Sequence, residues 1–257
     1  TTEPKFVPDE AVTVSLDDAS AVKVRLVDCV GYLVPDAMGA VENGQPRMVR
    51  TPWRKEPMPF SEAAELGTHK VITEHSTIGM LVTTDGSIGD IPRENYVEAE
   101  ERIVKELKEM GKPFALILNS ANPSGDAAVS LAYELEKKYG APIALVSCLD
   151  LDAEDIRHIL ELVLHEFPVT EVSVRLPEWM SALDTAHPIR QSLVASIRAC
   201  ADSVHKTGDI KAAFAPLSDN EYVGRATVDE VNLGTGKAQE ITITATSNMS
   251  QAEIDRA

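Results

Sequence analysis

Asp28 and Gly31 are spaced for phosphate chemistry. They sit in Leu26-Val27-Asp28-Cys29-Val30-Gly31, where a run from Val22 to Val27, alternating and then apolar, stops at an Asp-x-x-Gly turn. An Asp at the carboxyl end of a buried strand lies at the rim of a parallel sheet, where ligands bind. It can hold a Mg²⁺ ion whose other positions go to water and phosphate oxygens. The glycine three residues on lets the backbone come close enough for its N–H to face a terminal phosphate. A strand ending in Asp and then Gly is also the mark of an ordinary turn, so the spacing alone leaves both readings open.

Three more strand ends carry polar side chains. Thr77 to Thr84 reads as an apolar strand ending at Asp85-Gly86, Pro113 to Leu118 as one ending at Asn119-Ser120, and Pro142 to Val146 as one ending at Ser147-Cys148. With Asp28 they line one edge of a sheet, the edge at which α/β proteins bind nucleotides. Asp85 and Asp90 resemble a carboxylate pair, but they flank a Gly-rich turn and read as turn chemistry.

The elements that must position these residues alternate. Helices are expected over Ser61 to His75 with Ser61 as N-cap, Asn95 to Gly111, Asp126 to Tyr139 closed by Gly140, and Asp152 to Phe167, with a last strand at Val169 to Leu176. Strand and helix alternating at this spacing give βαβ units and a mostly parallel sheet with helices on both faces. The fold class is therefore α/β, a three-layer domain over residues 1–176, followed by the start of a second α+β domain over residues 177–257. In that second part a helical stretch from Glu178 to His205 is interrupted at Pro188, and two period-two runs between Glu221 and Thr246 suggest a hairpin. Before the first domain's helices, Ala11 to Leu16 and Val22 to Val27 read as a hairpin, and the Pro-rich Tyr32 to Phe60 as a long loop of functional type. Its Arg47, Arg50, Arg54 and Lys55 fit either a charge-stabilising finger on phosphate or a solvated loop. On the second helix, pairs such as Glu101 with Lys105 read as a solvated face, and His158 and His165 lack the neighbours a metal site needs.

Composition narrows the partners. The 257 residues are 44% hydrophobic and 25% charged, with a formal net charge of −17. That charge repels nucleic acid and anionic bilayers and favours basic partners. Cys29, Cys148 and Cys200 are far apart in apolar surroundings and read as reduced thiols of a cytosolic protein. No run is long and apolar enough for a membrane span.

Several strings together resemble one family. Thr1-Thr2-Glu3-Pro4-Lys5-Phe6-Val7-Pro8, Leu26-Val27-Asp28-Cys29-Val30-Gly31-Tyr32, Glu74-His75-Ser76-Thr77-Ile78-Gly79, Thr84-Asp85-Gly86-Ser87-Ile88-Gly89-Asp90-Ile91-Pro92-Arg93 and Glu98-Ala99-Glu100-Glu101-Arg102 are similar to the stage IV sporulation protein A family of endospore-forming bacteria. The similarity is close from Thr1 to about Pro177. It implies a P-loop GTPase-like domain that uses ATP and Mg²⁺, hydrolyses the nucleotide, and self-assembles into a homopolymer forming the basal layer of the spore coat. It implies a place in the mother-cell cytosol at the forespore outer membrane surface, with a small membrane-associated sporulation peptide and coat proteins as partners. By the same resemblance Thr1 and Thr2 are switch or sensor threonines, Asp28 is the Mg²⁺-side carboxylate with Thr2 beside it, and Gly31, Asn119, Ser120 and Ser147 line the nucleotide.

The residues bear on the nucleotide independently. GTPases read guanine with Asn-Lys-x-Asp, whose Asp accepts from two guanine N–H groups, and such a site discriminates strongly. Here the segment is Asn119-Ser120-Ala121-Asn122. Asn122 cannot offer two carboxylate oxygens, so guanine selectivity is lost and ATP becomes plausible. No Gly-x-x-x-x-Gly-Lys-Ser/Thr phosphate loop occurs; Gly234-Thr235-Gly236-Lys237 leads into the strand-like Ile241-Thr242-Ile243-Thr244, where a phosphate loop needs a helix. The expectation is that the loop lies upstream of Thr1 and that this chain as given binds ATP poorly. A GTPase of the translation-factor class and a non-enzymatic assembly module stay open as alternatives.

Overall fold

The computed structural model describes residues 8, 10–15, 21–169, 172–176, 180, 183–228 and 242–247. Among these, one compact unit takes in the residues up to Ser15 and Lys23–Val163, and a second takes in Ala21, Val22 and the residues from Leu164 onward.

Strands β1 (Val12–Ser15) and β2 (Ala21–Val24) form a two-stranded sheet, as expected from their alternation. The strand stops earlier than the apolar run does. A strand persists only where a neighbour supplies hydrogen bonds, and β1 supplies four residues; beyond Val24 the chain is irregular through Leu33 and leaves Leu26 and Val30 exposed.

The Pro-rich segment is a loop only over its first part, residues 32–40. Beyond that it folds as β3 (Val41–Glu42) with β4 (Gln45–Pro46) and β5 (Met48–Thr51) with β6 (Arg54–Pro59), both antiparallel. The two-residue turn Asn43-Gly44 has positive φ at both positions, 51° and 74°, the hairpin turn that Asn-Gly favours. Its prolines are tolerated because two-stranded ribbons are all edge. Arg47 lies over the Phe60 ring at 5.4 Å, and Arg54 stands 4.0 Å from Glu62.

Next comes α1 (Phe60–Lys70), whose last turn widens into a π-helical turn, Val71–His75. The helix starts one residue before the expected Ser61 cap, after Pro59 and with no capping side chain. Then follow β7 (Gly79–Thr84), α2 (Val97–Glu109), β8 (Phe114–Asn119), α3 (Asp126–Tyr139), β9 (Ile143–Val146) and α4 (Ala153–His165). Helix α3 is framed as its sequence implies, by Asp126 in its first turn, Lys137 and Lys138 in its last, and Gly140 in the left-handed conformation beyond.

Strands β7, β8 and β9 form one parallel sheet with β8 central. β8 is buried on both faces, so it reads as a continuous apolar run. Phe114, Leu116 and Leu118 pack with Ile72, Val104, Leu107, Leu135 and Tyr139 on one side. Ile117, Ala144 and Val146 pack with Ile159 of α4 on the other. Helices thus cover both faces, the expected three-layer α/β arrangement. Helix pairing departs in one detail: Glu101 bonds Lys138 of α3 at 2.7 Å, and Lys105 faces Glu109 at 3.8 Å instead. A neighbouring helix offers a closer cation than the next turn does.

The second unit is α+β. Strand β10 (Ser173–Arg175) pairs in parallel with β12 (Thr242–Ser247), which pairs antiparallel with β11 (Val223–Val228). Strand β10, which falls in the run Val169 to Leu176 read as the last strand of the first domain, therefore belongs to a different sheet. A short apolar run specifies a strand but not its partner. Helix α5 (Pro188–Asp202) opens with Pro188, and the His187 side chain accepts from Ile189 N at 3.3 Å; α6 (Ile210–Phe214) follows. Met180, Leu193, Cys200, Ile210, Phe214, Leu217 and Val223 form the core of this unit.

Candidate functional site

Register builds the site. Thr84 lies beside Asn119 across β7 and β8, and Asn119 beside Val146 across β8 and β9. The residues at and just past this line, Asp85, Asn119, Ser120 and Ser147, therefore stand in one row at the carboxyl edge of the sheet, where parallel strands leave a crevice for ligands.

The row is tied together by hydrogen bonds. Ser120, fully buried, donates through Oγ to Asp85 Oδ2 at 2.6 Å, and its Oγ accepts from Asn122 N at 3.0 Å. Asp85 Oδ1 accepts from Ser87 N at 2.9 Å and from Ser87 Oγ, and Ser87 Oγ accepts from Ala121 N at 2.9 Å. Burial pushes the Asp85 carboxyl up, but the hydrogen bonds from Ser120 and Ser87 outweigh it and hold it below the ordinary range. Asn119 Oδ1 accepts from Cys148 N at 2.9 Å, bridging the ends of β8 and β9. That bond leaves the Asn119 amide N–H₂ as a donor at the edge, suited to a ring nitrogen acceptor. Ser147 Oγ donates to Asp150 Oδ2 at 2.9 Å. Burial raises the Cys148 thiol above its usual value.

Thr1 and Thr2 are outside the described residues, as are Gly234 to Lys237. Asp28 does not end a strand of the parallel sheet, contrary to expectation: it follows β2 by four residues, is exposed, and makes no hydrogen bond or ion pair among the described residues. The ladder with β1 ends too soon to carry it to that edge. Gly31 does have the backbone that only glycine takes readily, with φ of 81° and open space around its α-carbon.

One residue further on, the chain is anchored. Tyr32 is buried, and its hydroxyl lies 2.7 and 2.6 Å from the two carboxylate oxygens of Glu106 on α2, with the Arg102 guanidinium stacked 3.7 Å above its ring. Burial first, and the Glu106 carboxylate second, raise the Tyr32 phenol far above its usual value, so it stays a donor. Asn95 Nδ2 adds bonds to Pro35 O at 3.2 Å and Asp36 Oδ2 at 2.9 Å. The segment after Asp28-x-x-Gly31 is thus held against α2 and the turn that precedes it. No sequence pattern marks Tyr32 or Glu106, because 74 residues separate them.

For Mg²⁺ the fit rests on the donor set. Among the described residues no three His, Cys, Asp or Glu side chains converge as a metal cage. A lone exposed carboxylate such as Asp28 suits an ion whose other ligands are waters and phosphate oxygens, the manner in which Mg²⁺ is held. Among the described residues no helix is long and apolar enough to cross a membrane.

Comparison with known proteins agrees with the fold. The family model for the ATPase domain of stage IV sporulation protein A matches residues 1–168, and that for its middle domain matches residues 169–255. Proteins named stage IV sporulation protein A from Bacillus anthracis and Bacillus subtilis are 45% and 44% identical over 239 residues, covering 93% of this chain. One from Clostridioides difficile is 43% identical over 236 residues, 92% of this chain. The chain spans about half the length of these curated relatives, 49%, 49% and 48%. No solved structure matches. With both family models matched end to end along the chain, the chain belongs to the stage IV sporulation protein A family.

Proposed function

We propose that the protein carrying this chain is an ATP-hydrolysing morphogenetic protein that self-assembles into the basal layer of the bacterial spore coat. The observation that carries the nucleotide part is the row at the carboxyl edge of the β7-β8-β9 sheet, set by the register Thr84–Asn119–Val146. Asn119 presents an amide donor to the base, and Ser120 and Ser147 shape the loops on either side. Asn122, where a guanine reader has Asp, favours adenine over guanine. On the phosphate side, Asp28 and Thr2 would hold Mg²⁺, which when bound neutralises charge on the phosphate oxygens. Thr1 and Thr2 sense the terminal phosphate, and Gly31 lets the backbone approach it.

The assembly part rests on family membership. Homopolymer contacts, a small membrane-associated sporulation peptide, coat proteins and a place in the mother-cell cytosol at the forespore outer membrane surface belong to the same proposal.

The test is turnover of ATP and of GTP by the full-length protein, alone and with Asp28→Ala. ATP turnover exceeding GTP turnover, and a fall of at least ~10²-fold in the variant, supports the reading. Equal use of GTP points to a translation-factor type of enzyme, and assembly that proceeds equally without nucleotide points to a purely structural module.

A further inference from the structure

Asp85 reads in sequence as part of a Gly-rich turn, yet its carboxylate is the hub that joins two strand ends. Oδ2 accepts from Ser120, whose oxygen accepts from Asn122 N at 3.0 Å; Oδ1 accepts from Ser87, whose oxygen accepts from Ala121 N at 2.9 Å. Two successive backbone N–H groups of the base-side segment are therefore fixed through one hydroxyl each to the same carboxylate. Asp85 N also donates to Asn119 O at 3.3 Å. Ser120 is fully buried and Asp85 half-buried, so water does not readily replace the bonds of the Ser120 branch, whereas Ser87 and its bonds are exposed. A carboxylate is suited to this hub because it accepts on both oxygens and donates on neither.

We infer that Asp85 is a positioning residue for nucleotide-base selection: through Ser87 and Ser120 it fixes the backbone of Ala121 and Asn122, and so the placement of Asn119 and Asn122 toward the base. The inference rests on the ATP reading above. An amide at position 85 turns an N–H₂ toward one of the two serines, whose hydroxyl then loses its charged acceptor and must reverse to accept from the amide, which weakens that relay while keeping the volume. Both Asp85 oxygens are taken up by Ser87 and Ser120, so it acts through the loop, and its loss weakens base binding and leaves the chemical step largely alone.

The experiment uses the full-length protein with Asp85→Asn, and with Ser87→Ala as a milder variant that cuts only the relay to Ala121. Steady-state kinetics with ATP and GTP are measured, together with amide hydrogen exchange of residues 119–125. The expected result is a KM for ATP raised roughly 10-fold with kcat changed less than about 2-fold, a fall in the ATP-over-GTP preference, and exchange at Ala121 and Asn122 accelerated about 10-fold or more. Ser87→Ala gives the same signature in smaller degree, with the effect at Ala121. Unchanged exchange and unchanged KM in Asp85→Asn overturn the positioning role, as does a loss confined to kcat. Wild-type protein that binds and turns over no nucleotide overturns the ATP reading and the base-side role with it, a result distinct from a competent wild type whose variants match it.

Discussion

The Tyr32 hydroxyl lies 2.7 and 2.6 Å from the two carboxylate oxygens of Glu106, joining the residue after Asp28-x-x-Gly31 to helix α2 across 74 positions of sequence. Arg102 closes the arrangement from above, stacking on the Tyr32 ring at 3.7 Å and reaching Glu65 at 3.2 Å. His69 Nδ1 stands 3.6 Å from Glu106 as well. The contact buries an aromatic side chain and uses its hydroxyl as a charge-assisted donor, so it holds the segment through packing and polarity together.

Tyr32→Phe keeps the ring and removes the donor. The expected loss is about 1.5 kcal/mol of unfolding free energy, as for a hydrogen bond to a charged acceptor. Tyr32→Ala also opens a cavity, and a loss of roughly 3 kcal/mol or more follows. Urea unfolding measures both; a Phe variant as destabilised as the Ala variant means that the hydroxyl, and not the ring, carries the contact.

Glu100 is a buried charge in the first unit, 2% exposed, and it accepts from Arg93 Nη2 at 2.8 Å, from Arg93 Nη1, from Thr83 Oγ1 and from Tyr139 Oη at 3.2 Å. Glu100→Gln leaves the Arg93 guanidinium without its counter-charge, and the expected loss is about 3 to 5 kcal/mol. The double variant Glu100→Leu, Arg93→Met removes both charges, and its loss is expected to be smaller than that of the single. A single variant within about 1 kcal/mol of wild type contradicts the pairing.

Gly86 has φ of 87°, and a Cβ there would meet Arg93 N at 3.0 Å. Gly89 has φ of 77° with open space around it. Gly86→Ala therefore combines backbone strain with a clash, whereas Gly89→Ala meets strain alone. Each exceeds about 1 kcal/mol of destabilisation only if the native φ is kept, and thermal or urea unfolding is expected to rank Gly86→Ala as the worse of the two.

The pH dependence at Asp85 follows from the sign of its shift. Its folded carboxyl is held below the ordinary 3.8, with burial opposing and the Ser120 and Ser87 hydrogen bonds prevailing. The folded state then binds the proton less readily than the unfolded state, so Asp85 contributes stability fully above that ordinary value and loses it as pH falls through the folded value. The stability gap between wild type and Asp85→Asn is expected to hold from neutral pH to about pH 5 and to shrink below pH 3.8. A gap that grows on acidification reverses the sign and refutes it. Paired urea titrations at several pH values make the comparison.

The amino-acid sequence by itself determined the local elements and the polar strand ends. The apolar run Pro113 to Leu118 reads as a strand and is one, and Asp126 to Gly140 carries its helix signals at both ends. These are short-range properties of propensity and periodicity, as is the Asn-for-Asp change at position 122. Pairing was not legible. The Pro-rich stretch hides two hairpins, marked only by Asn43-Gly44; β10 sits in the second unit's sheet; and the apolar run before Asp28 loses its strand at Val24. Which strand adds to which sheet depends on hydrogen-bond partners far away in the chain, and no local pattern encodes them. For the same reason only the tertiary structure could promote Asp85 from a turn residue to a hub, because its partners, Ser120 and, through Ser87, Ala121, lie across the sheet edge and become neighbours only when β7 and β8 are in register.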